Sequence, residues 1–229
     1  MALYAIGDLH LSAGVDKPMD IFGGNWVGYM DKLKEGLSVV QPEDTLVLLG
    51  DLCWALDLQQ AKADFAWINE IHGSKIILKG NHDYWWSTAA KFYKFCAENG
   101  FSNQLILNNN HYEYGDIAIC GTRGWFFEEE RSGEHDEKVF KRELCRLEAS
   151  LKSAGERQKI VFLHYPPKYK GYECPEIIEM LQRYGVRQCF YGHLHGASHS
   201  LAMEGLWDGI DYRLLSADRL NFNPYMVLP

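Results

Sequence analysis

Residues 80–83, Gly-Asn-His-Asp, place an amide, an imidazole and a carboxylate directly after the apolar run Lys75-Ile76-Ile77-Leu78-Lys79. A short apolar run with branched side chains and polar borders predicts a buried strand. Packing is a poor explanation for three polar side chains at the end of such a strand. Together they can bind a metal ion or move a proton. The stretch therefore predicts a reactive site at a strand end.

Four further strand-like segments also end in metal-capable side chains. These segments lie at about 3–6, 45–49, 159–163 and 188–191. In that order, they are followed by Asp8 and His10, by Asp51, by His164, and by His193 and His195. In α/β sheets, sites form beyond the carboxyl ends of the strands. We therefore expect these side chains to serve one site together with Asn81, His82 and Asp83.

The predicted ligands are carboxylates, an amide oxygen and imidazoles, with no thiolate among them. That set suits Mn, Fe, Zn or Co. Seven ligands are too many for one ion in a tetrahedral site, so the pattern predicts two ions. A carboxylate such as Asp51 can bridge two metals that lie about 3.5–4 Å apart.

The elements that position these residues alternate between strand and helix patterns. Helices are predicted at about 25–39, 58–70, 87–99, 136–153 and 174–184, with Asn25 and Ser87 as caps. Strand-like pieces at 105–107, 111–114 and 117–120 suggest antiparallel pairing, as do C-terminal pieces at 200–203, 212–216 and 225–228. The acidic stretch 124–135 and the loop 11–24 are expected to frame the cleft. We predict one α/β domain spanning 1–229, with two packed sheets and helices outside.

Composition disfavours several classes of function. The net charge of −8 disfavours tight, non-specific binding of nucleic acid. The six cysteines are scattered without a C-x-x-C pair, which is typical of free thiols in a reducing compartment. No basic leader or apolar stretch of roughly 20 residues is present. We therefore predict a cytoplasmic protein that does not bind membranes.

The same blocks resemble the calcineurin-like metallophosphoesterase superfamily. Its pattern of D-x-H, G-D, G-N-H-D/E, a single H and G-H-x-H stands here, in order, as Gly7-Asp8-Leu9-His10, Gly50-Asp51, Gly80-Asn81-His82-Asp83, His164 and Gly192-His193-Leu194-His195. The resemblance implies a four-layer αββα sandwich of two mixed β-sheets flanked by helices.

The resemblance also implies a division of labour among the ligands. One metal would take Asp8, His10, Asp51 and His195, and the other would take Asp51, Asn81, His164 and His193. His82 matches the family's general acid or phosphate-contacting histidine. The implied reaction is hydrolysis of a phosphomonoester or phosphodiester by a hydroxide that bridges the metals. The expected partner is a small phosphorylated or nucleotide substrate.

One position departs from the family's protein phosphatase branch, where an Asp three residues after the bridging Asp orients the histidine. Here that residue is Trp54, with Asp83 and Asp57 as alternatives. Arg123 and Tyr165 are weaker candidates for substrate contacts. A metal-dependent nuclease and a catalytically silent binding scaffold are the rival interpretations. The substrate, the native metals and the oligomeric state stay open.

Overall fold

The computed structural model describes residues 1–126 and 133–229. The three successive glutamates of the predicted acidic loop, Glu128 to Glu130, lie outside the described residues. The chain forms two compact units, one from Met1–Ile106 with Leu215–Pro229 and the other from Leu107–Leu214. The single domain spanning 1–229 stays a prediction.

The strands of the described residues are β1 (Leu3–Ile6), β2 (Thr45–Leu48), β3 (Ser74–Ile77), β4 (Gln104–Ile106), β5 (Tyr112–Tyr114), β6 (Ile117–Thr122), β7 (Gln158–Leu163), β8 (Lys168–Tyr169), β9 (Tyr172–Glu173), β10 (Gln188–Tyr191), β11 (Gly205–Trp207), β12 (Ile210–Leu214) and β13 (Tyr225–Leu228). The α-helices are α1 (Tyr29–Leu37), α2 (Lys62–Glu70), α3 (Ala89–Asn99), α4 (Gly133–Ser153) and α5 (Pro175–Arg183). Short 3₁₀ helices occur at Met19–Phe22, Gly24–Trp26 and Gly196–Leu201.

The first unit is built on a five-stranded mixed sheet in the order β13-β1-β2-β3-β4. The strands β1 to β4 run parallel to one another, and β13 pairs antiparallel with β1. Apolar residues of α1, α2 and α3, such as Leu33, Phe65 and Phe92, pack in one cluster with Ile6 and Leu48 of the sheet. Parallel strands need crossover helices, which explains the alternation in the sequence.

The second unit is built on a six-stranded mixed sheet in the order β11-β12-β10-β7-β6-β5. Its four inner strands are parallel, and the two edge strands β11 and β5 pair antiparallel with their neighbours. Leu147 of α4 and Ile177 of α5 pack in one cluster with Val161, Cys189 and other strand residues. The predicted α/β class, with two mixed sheets flanked by helices, is confirmed.

Several local predictions were wrong at element ends. Asn25 lies in a 3₁₀ helix and does not cap α1, which begins after Gly28 in a left-handed conformation with φ 66°. Thr88 rather than Ser87 caps α3, since its Oγ1 accepts a hydrogen bond from Lys91 N at 3.3 Å. The piece at 200–203 is not a strand, because residues up to Leu201 continue a 3₁₀ helix.

The pairing of β4 was also predicted wrongly. It runs parallel to β3, with Lys75 opposite Gln104, instead of joining an antiparallel meander. The connection from β3 to β4 passes through α3, and a helical crossover returns the chain in the parallel direction. The antiparallel pairing of β5 with β6 is confirmed.

Within the described residues, no helix combines the length and the apolar composition that crossing a membrane requires.

Candidate metal centre

In the first unit, three of the predicted motifs follow adjacent parallel strands. The register places Ile6 opposite Leu48, and Leu48 opposite Ile77. Asp8, Asp51 and Asn81 therefore follow β1, β2 and β3 at the same edge of the sheet. This is the arrangement that the sequence predicts, and a doubly wound sheet uses this edge for ligands.

Three predicted ligands of this unit have left-handed backbones. The φ angles are 61° at Asp8, 47° at His10 and 50° at Asp51. For a residue with a Cβ atom, this conformation costs of order 1–2 kcal/mol. Such strain persists where the surrounding structure over-determines it, and it concentrates at functional sites.

Backbone hydrogen bonds hold the two strained segments together. Asp8 N donates to Gly50 O at 2.9 Å, and His10 N donates to Asp51 O at 3.0 Å. The pairing of β1 with β2 thus continues beyond the strand ends. The left-handed backbone at Asp8 and Asp51 therefore does not separate the two segments.

Gly80 allows the segment after β3 to approach Asp51 closely. A Cβ atom at position 80 would lie 2.1 Å from Asp51 Oδ1 and 2.2 Å from Asp51 N. No side chain fits in that space unless Asp51 moves. The close approach of this segment to Asp51 therefore requires a glycine at position 80 of the motif.

We expect Gly80→Ala to lower the free energy of unfolding by at least about 2 kcal/mol, because the new methyl group overlaps the Asp51 backbone. Chemical denaturation measures the loss. Gly115→Ala is the control: its Cβ meets nothing within 4 Å, so it reports only the cost of alanine at a φ of 56°, about 1–2 kcal/mol. Equal losses in the two variants would contradict the overlap.

The carboxylates of Asp8 and Asp51 form the chemical centre of this unit. Both are buried, and a ligand atom of Asp8 lies within 4.8 Å of one on Asp51 and of one on His10. Asp51 Oδ1 accepts a hydrogen bond from His82 N at 2.7 Å, while its Oδ2 lies 3.9 Å from His10 Nε2. Two buried carboxylates so close together repel each other unless a cation is nearby. The donor set therefore fits a hard or intermediate metal ion.

Asp83, the last residue of the motif, holds the two segments in place. Its buried carboxylate accepts hydrogen bonds from Asp51 N at 2.8 Å, Leu52 N at 2.9 Å, Gly80 N at 2.7 Å and Trp85 Nε1 at 3.0 Å. Three of these donors are backbone groups on the segments after β2 and β3. Asp83 thus cross-links the backbone that carries Asp51 to the backbone that carries Asn81.

His82 packs against aromatic rings. Its ring centroid lies 4.5 Å from that of Trp54, 5.8 Å from that of His10 and 6.2 Å from that of Tyr84. Trp54 also stacks on His10, with centroids 4.8 Å apart and an interplanar angle of 22°. Trp54 therefore positions both imidazoles by packing. Whether Asp83 or Asp57 orients His82 stays a prediction.

Asp64 of α2 anchors the loop that leaves the site after His10. Its Oδ1 accepts a hydrogen bond from Ala13 N at 2.8 Å, although the side chain is buried. Burial raises the pKa of this carboxyl above its ordinary value, against the smaller effect of the backbone hydrogen bond. The sequence analysis did not identify this residue, because a lone Asp in a helix pattern carries no signal.

We expect the stability of Asp64→Asn relative to the parent to increase as the pH rises from the acid range to neutrality. A carboxyl with a raised folded-state pKa stabilises the fold at low pH, and this contribution is lost as the pH rises through that pKa. Asparagine keeps the acceptor for Ala13 N without a buried charge. Urea denaturation at several pH values measures the trend, with the exposed Asp116→Asn as the control. If the stability of Asp64→Asn relative to the parent falls as the pH approaches neutrality, the expected direction of the pH dependence is wrong.

In the second unit, three more predicted residues follow adjacent strands. Thr122 of β6 lies opposite Leu163 of β7. Arg123 O accepts hydrogen bonds from His164 N at 3.1 Å and Tyr165 N at 2.9 Å, and His164 O accepts one from Gly192 N at 3.0 Å. Arg123, His164 and His193 are thus brought to the same edge of this sheet.

The histidines of this unit pack around Tyr165. Its ring centroid lies 4.2 Å from that of His193 and 5.3 Å from that of His164, and the two histidine rings are 5.2 Å apart. His193 has a left-handed φ of 74°, while His195 is extended and precedes a 3₁₀ helix. Tyr165 is buried, and its ring contacts those of His164 and His193.

Glu143 of α4 fixes the segment that carries Arg123. Its buried Oε1 accepts hydrogen bonds from Thr122 Oγ1 at 2.6 Å and Gly124 N at 2.9 Å, while Arg146 donates to Oε2 at 3.0 Å. The sequence analysis missed this residue as well. The Arg123 guanidinium lies 6.0 Å from the Trp125 ring.

Two solved structures share the fold at low sequence identity. One is AQ665 from Aquifex aeolicus, a protein of unknown function, with 17% identity and a TM-score of 0.51 over 97% of this chain and 94% of that one. The other is TT1561 of Thermus thermophilus, with 15% identity and a TM-score of 0.53 over 86% of this chain and 85% of that one. A search of curated proteins found no match.

The family model that matches the sequence describes calcineurin-like phosphoesterases and covers residues 1–197. That range contains each predicted metal ligand of both units. The strand-end placement of Asp8, Asp51 and Asn81 in one unit and of His164 and His193 in the other agrees with the family pattern. This chain belongs to the calcineurin-like phosphoesterase family.

Proposed function

We propose that this chain is a dimetal-dependent phosphohydrolase that cleaves a phosphomonoester or phosphodiester of a small molecule or nucleotide. The observation that carries the proposal is the pair of buried carboxylates, Asp8 and Asp51, within 4.8 Å on left-handed backbone beside His10. Membership of a phosphoesterase family supplies the reaction class. The net charge of −8 favours a small substrate over nucleic acid.

The proposed ligands are the seven residues of the family motifs. Asp8, His10, Asp51 and His195 would hold one metal, and Asp51, Asn81, His164 and His193 would hold the other. Support comes from each unit by itself. The carboxylates and His10 are held close together in the first unit, and the rings of His164 and His193 lie side by side in the second. Manganese, iron, zinc and cobalt all suit such ligands.

Each side chain has a distinct part in the proposed reaction. Metal ions held by these ligands would supply Lewis-acid activation of water and would neutralise charge on the phosphoryl oxygens. The His82 imidazole donates a proton to the leaving oxygen or stabilises its charge, and Trp54 keeps that ring in position. Arg123 is the candidate for bidentate contact with phosphate, and Tyr165 supports the histidines that it contacts.

Metal analysis combined with hydrolysis of aryl phosphates tests the proposal. The purified protein is assayed with a phosphomonoester and a phosphodiester, before and after metal removal and after addition of Mn²⁺. We expect about two ions per chain and metal-dependent release of the aryl alcohol. Full metal occupancy without hydrolysis of any phosphoester would refute the proposal that the protein is an enzyme and would favour a binding scaffold.

We expect His82→Ala to lower kcat/KM by about 10²–10³-fold while the metal content stays unchanged. The reason is that His82 contacts Asp51 through its backbone N–H, which the substitution keeps. Steady-state kinetics and metal analysis measure the two effects separately. His72→Ala, an exposed position that matches no ligand block, is the control. Unchanged kcat/KM in His82→Ala would remove only the proposed role of this imidazole.

A further inference from the structure

Lys17, in the loop between His10 and α1, lies over the ring of Trp54. Its Nζ is 3.2 Å from the indole centroid, which is within the range of a cation–π contact. The same indole contacts the His82 imidazole, with centroids 4.5 Å apart. The ammonium group and the proposed proton donor thus contact the same indole ring.

The loop places Lys17 because it is anchored on both sides. Before Lys17, Ala13 N donates to the buried Asp64 at 2.8 Å. After it, Met19 is buried in the apolar cluster of the first unit, and Asp20 Oδ1 accepts a hydrogen bond from Gly28 N at 2.8 Å. A residue held between two such anchors has a defined position.

The ammonium group of Lys17 has donor capacity for an anion. The side chain is exposed, and among residues 1–126 and 133–229 it makes no ion pair. An aromatic face attracts the cation without accepting a directed hydrogen bond from each of its three N–H groups. Those donors can serve a carboxylate or phosphate oxygen.

From this geometry we infer that Lys17 and Trp54 form a subsite for an anionic group on the leaving portion of the substrate. The inference rests on the proposed function, in which His82 serves the leaving oxygen. A group next to that oxygen extends along the Trp54 ring towards Lys17. The preferred substrates are therefore phosphoesters whose alcohol portion carries a second negative charge, a carboxylate or a phosphate.

A pair of matched aryl phosphates tests the subsite by kinetics. The leaving group is 3-carboxyphenol in one and 3-carboxamidophenol in the other, so size is kept and only the charge differs. We expect the metal-loaded parent to favour the carboxylate substrate in kcat/KM. Lys17→Met should lower that preference by about tenfold, the loss of one charge-assisted contact, and leave the carboxamide substrate within about threefold. Lys17→Arg should retain the preference.

The control variant is Lys62→Met, which removes the same charge from an exposed position on α2. A preference that falls equally in both methionine variants would show a general effect of net charge and would overturn the inference. A parent without any preference for the carboxylate would overturn it too.

A binding measurement separates this inference from the proposed function. Calorimetry compares 3-carboxybenzylphosphonate with 3-carbamoylbenzylphosphonate, neither of which can be hydrolysed at the C–P bond by a phosphoesterase. We expect Lys17→Met to weaken only the carboxylate ligand, by about tenfold. If Lys17→Met weakens binding of the carboxylate ligand but neither aryl phosphate is hydrolysed, the proposed function is refuted and the anion subsite is supported. If the aryl phosphates are hydrolysed but parent and variant bind both ligands equally, the anion subsite is refuted and the proposed function is supported.

Discussion

Replacing Asp51 with asparagine should cost the protein both metal binding and hydrolysis. We expect the metal content to fall from two ions per chain to one or fewer, and kcat/KM to fall by about 10³-fold or more. Asp51 is the proposed bridging ligand. One of its carboxylate oxygens lies within 4.8 Å of one on Asp8, and its Oδ2 lies 3.9 Å from His10 Nε2. An amide has one oxygen and no charge, so it does not bridge two cations.

The asparagine variant should nevertheless fold. Asparagine tolerates the left-handed φ of 50° at this position better than most residues. Its amide oxygen can still accept the hydrogen bond from His82 N. Removal of one of two close, buried carboxylates also relieves repulsion in the metal-free protein. Thermal unfolding without metal checks that the fold is kept.

Asp208→Asn is the matched control for Asp51→Asn. Asp208 has a similar left-handed φ of 53° but is exposed and matches no ligand motif. We expect its metal content and kcat/KM to equal those of the parent. Two ions retained in Asp51→Asn would show that the bridging assignment is wrong, whatever the effect on hydrolysis.

Replacing Asp83 with alanine should produce the largest loss of stability. We expect the free energy of unfolding to fall by about 3–5 kcal/mol. The carboxylate accepts hydrogen bonds from Trp85 Nε1 and from the backbone N–H groups of Asp51, Leu52 and Gly80. Alanine leaves those donors without this acceptor in a buried place. Urea denaturation of the metal-free protein measures the loss.

Asp83→Asn keeps the measurement possible if the alanine variant does not fold. One of its oxygens remains as an acceptor, so we expect a smaller loss of about 2 kcal/mol. Asp57→Ala serves as the control for stability, because Asp57 is exposed and its carboxylate accepts a local hydrogen bond from Gln60 N. A loss in Asp83→Ala no greater than that in Asp57→Ala would contradict the cross-linking role.

Much of the fold was predictable because its signals are local. The apolar runs that form β1, β2, β3, β7 and β10 are short, branched and bounded by polar residues, which is how buried parallel strands appear in a sequence. Pro175 marks the first turn of α5 correctly. The β4 strand shows where local reading fails. The crossover through the preceding helix, and not the residues of β4 themselves, decides that β4 pairs in parallel with β3.

The positions of the candidate metal ligands were predictable for a related reason. Each stands within a few residues of a strand's end, so the strand pattern and the residue type together indicate its place. The residues that hold the ligands carry no such signal. Glu143 and Asp64 sit in helical patterns, where a carboxylate is ordinarily exposed. Only their burial and hydrogen bonds reveal that they anchor the segments around Arg123 and Ala13.

The sequence by itself determined the family and the placement of the motif residues after their strands, because each of these depends on residue types at short spacing. The tertiary structure decided what those residues touch. It brought Gly80 against Asp51, made Asp83 a cross-link between two loops, and placed Lys17 over Trp54. These contacts join residues that are distant along the chain. They arise from the register of parallel strands and the packing of a buried core, which local sequence patterns do not encode.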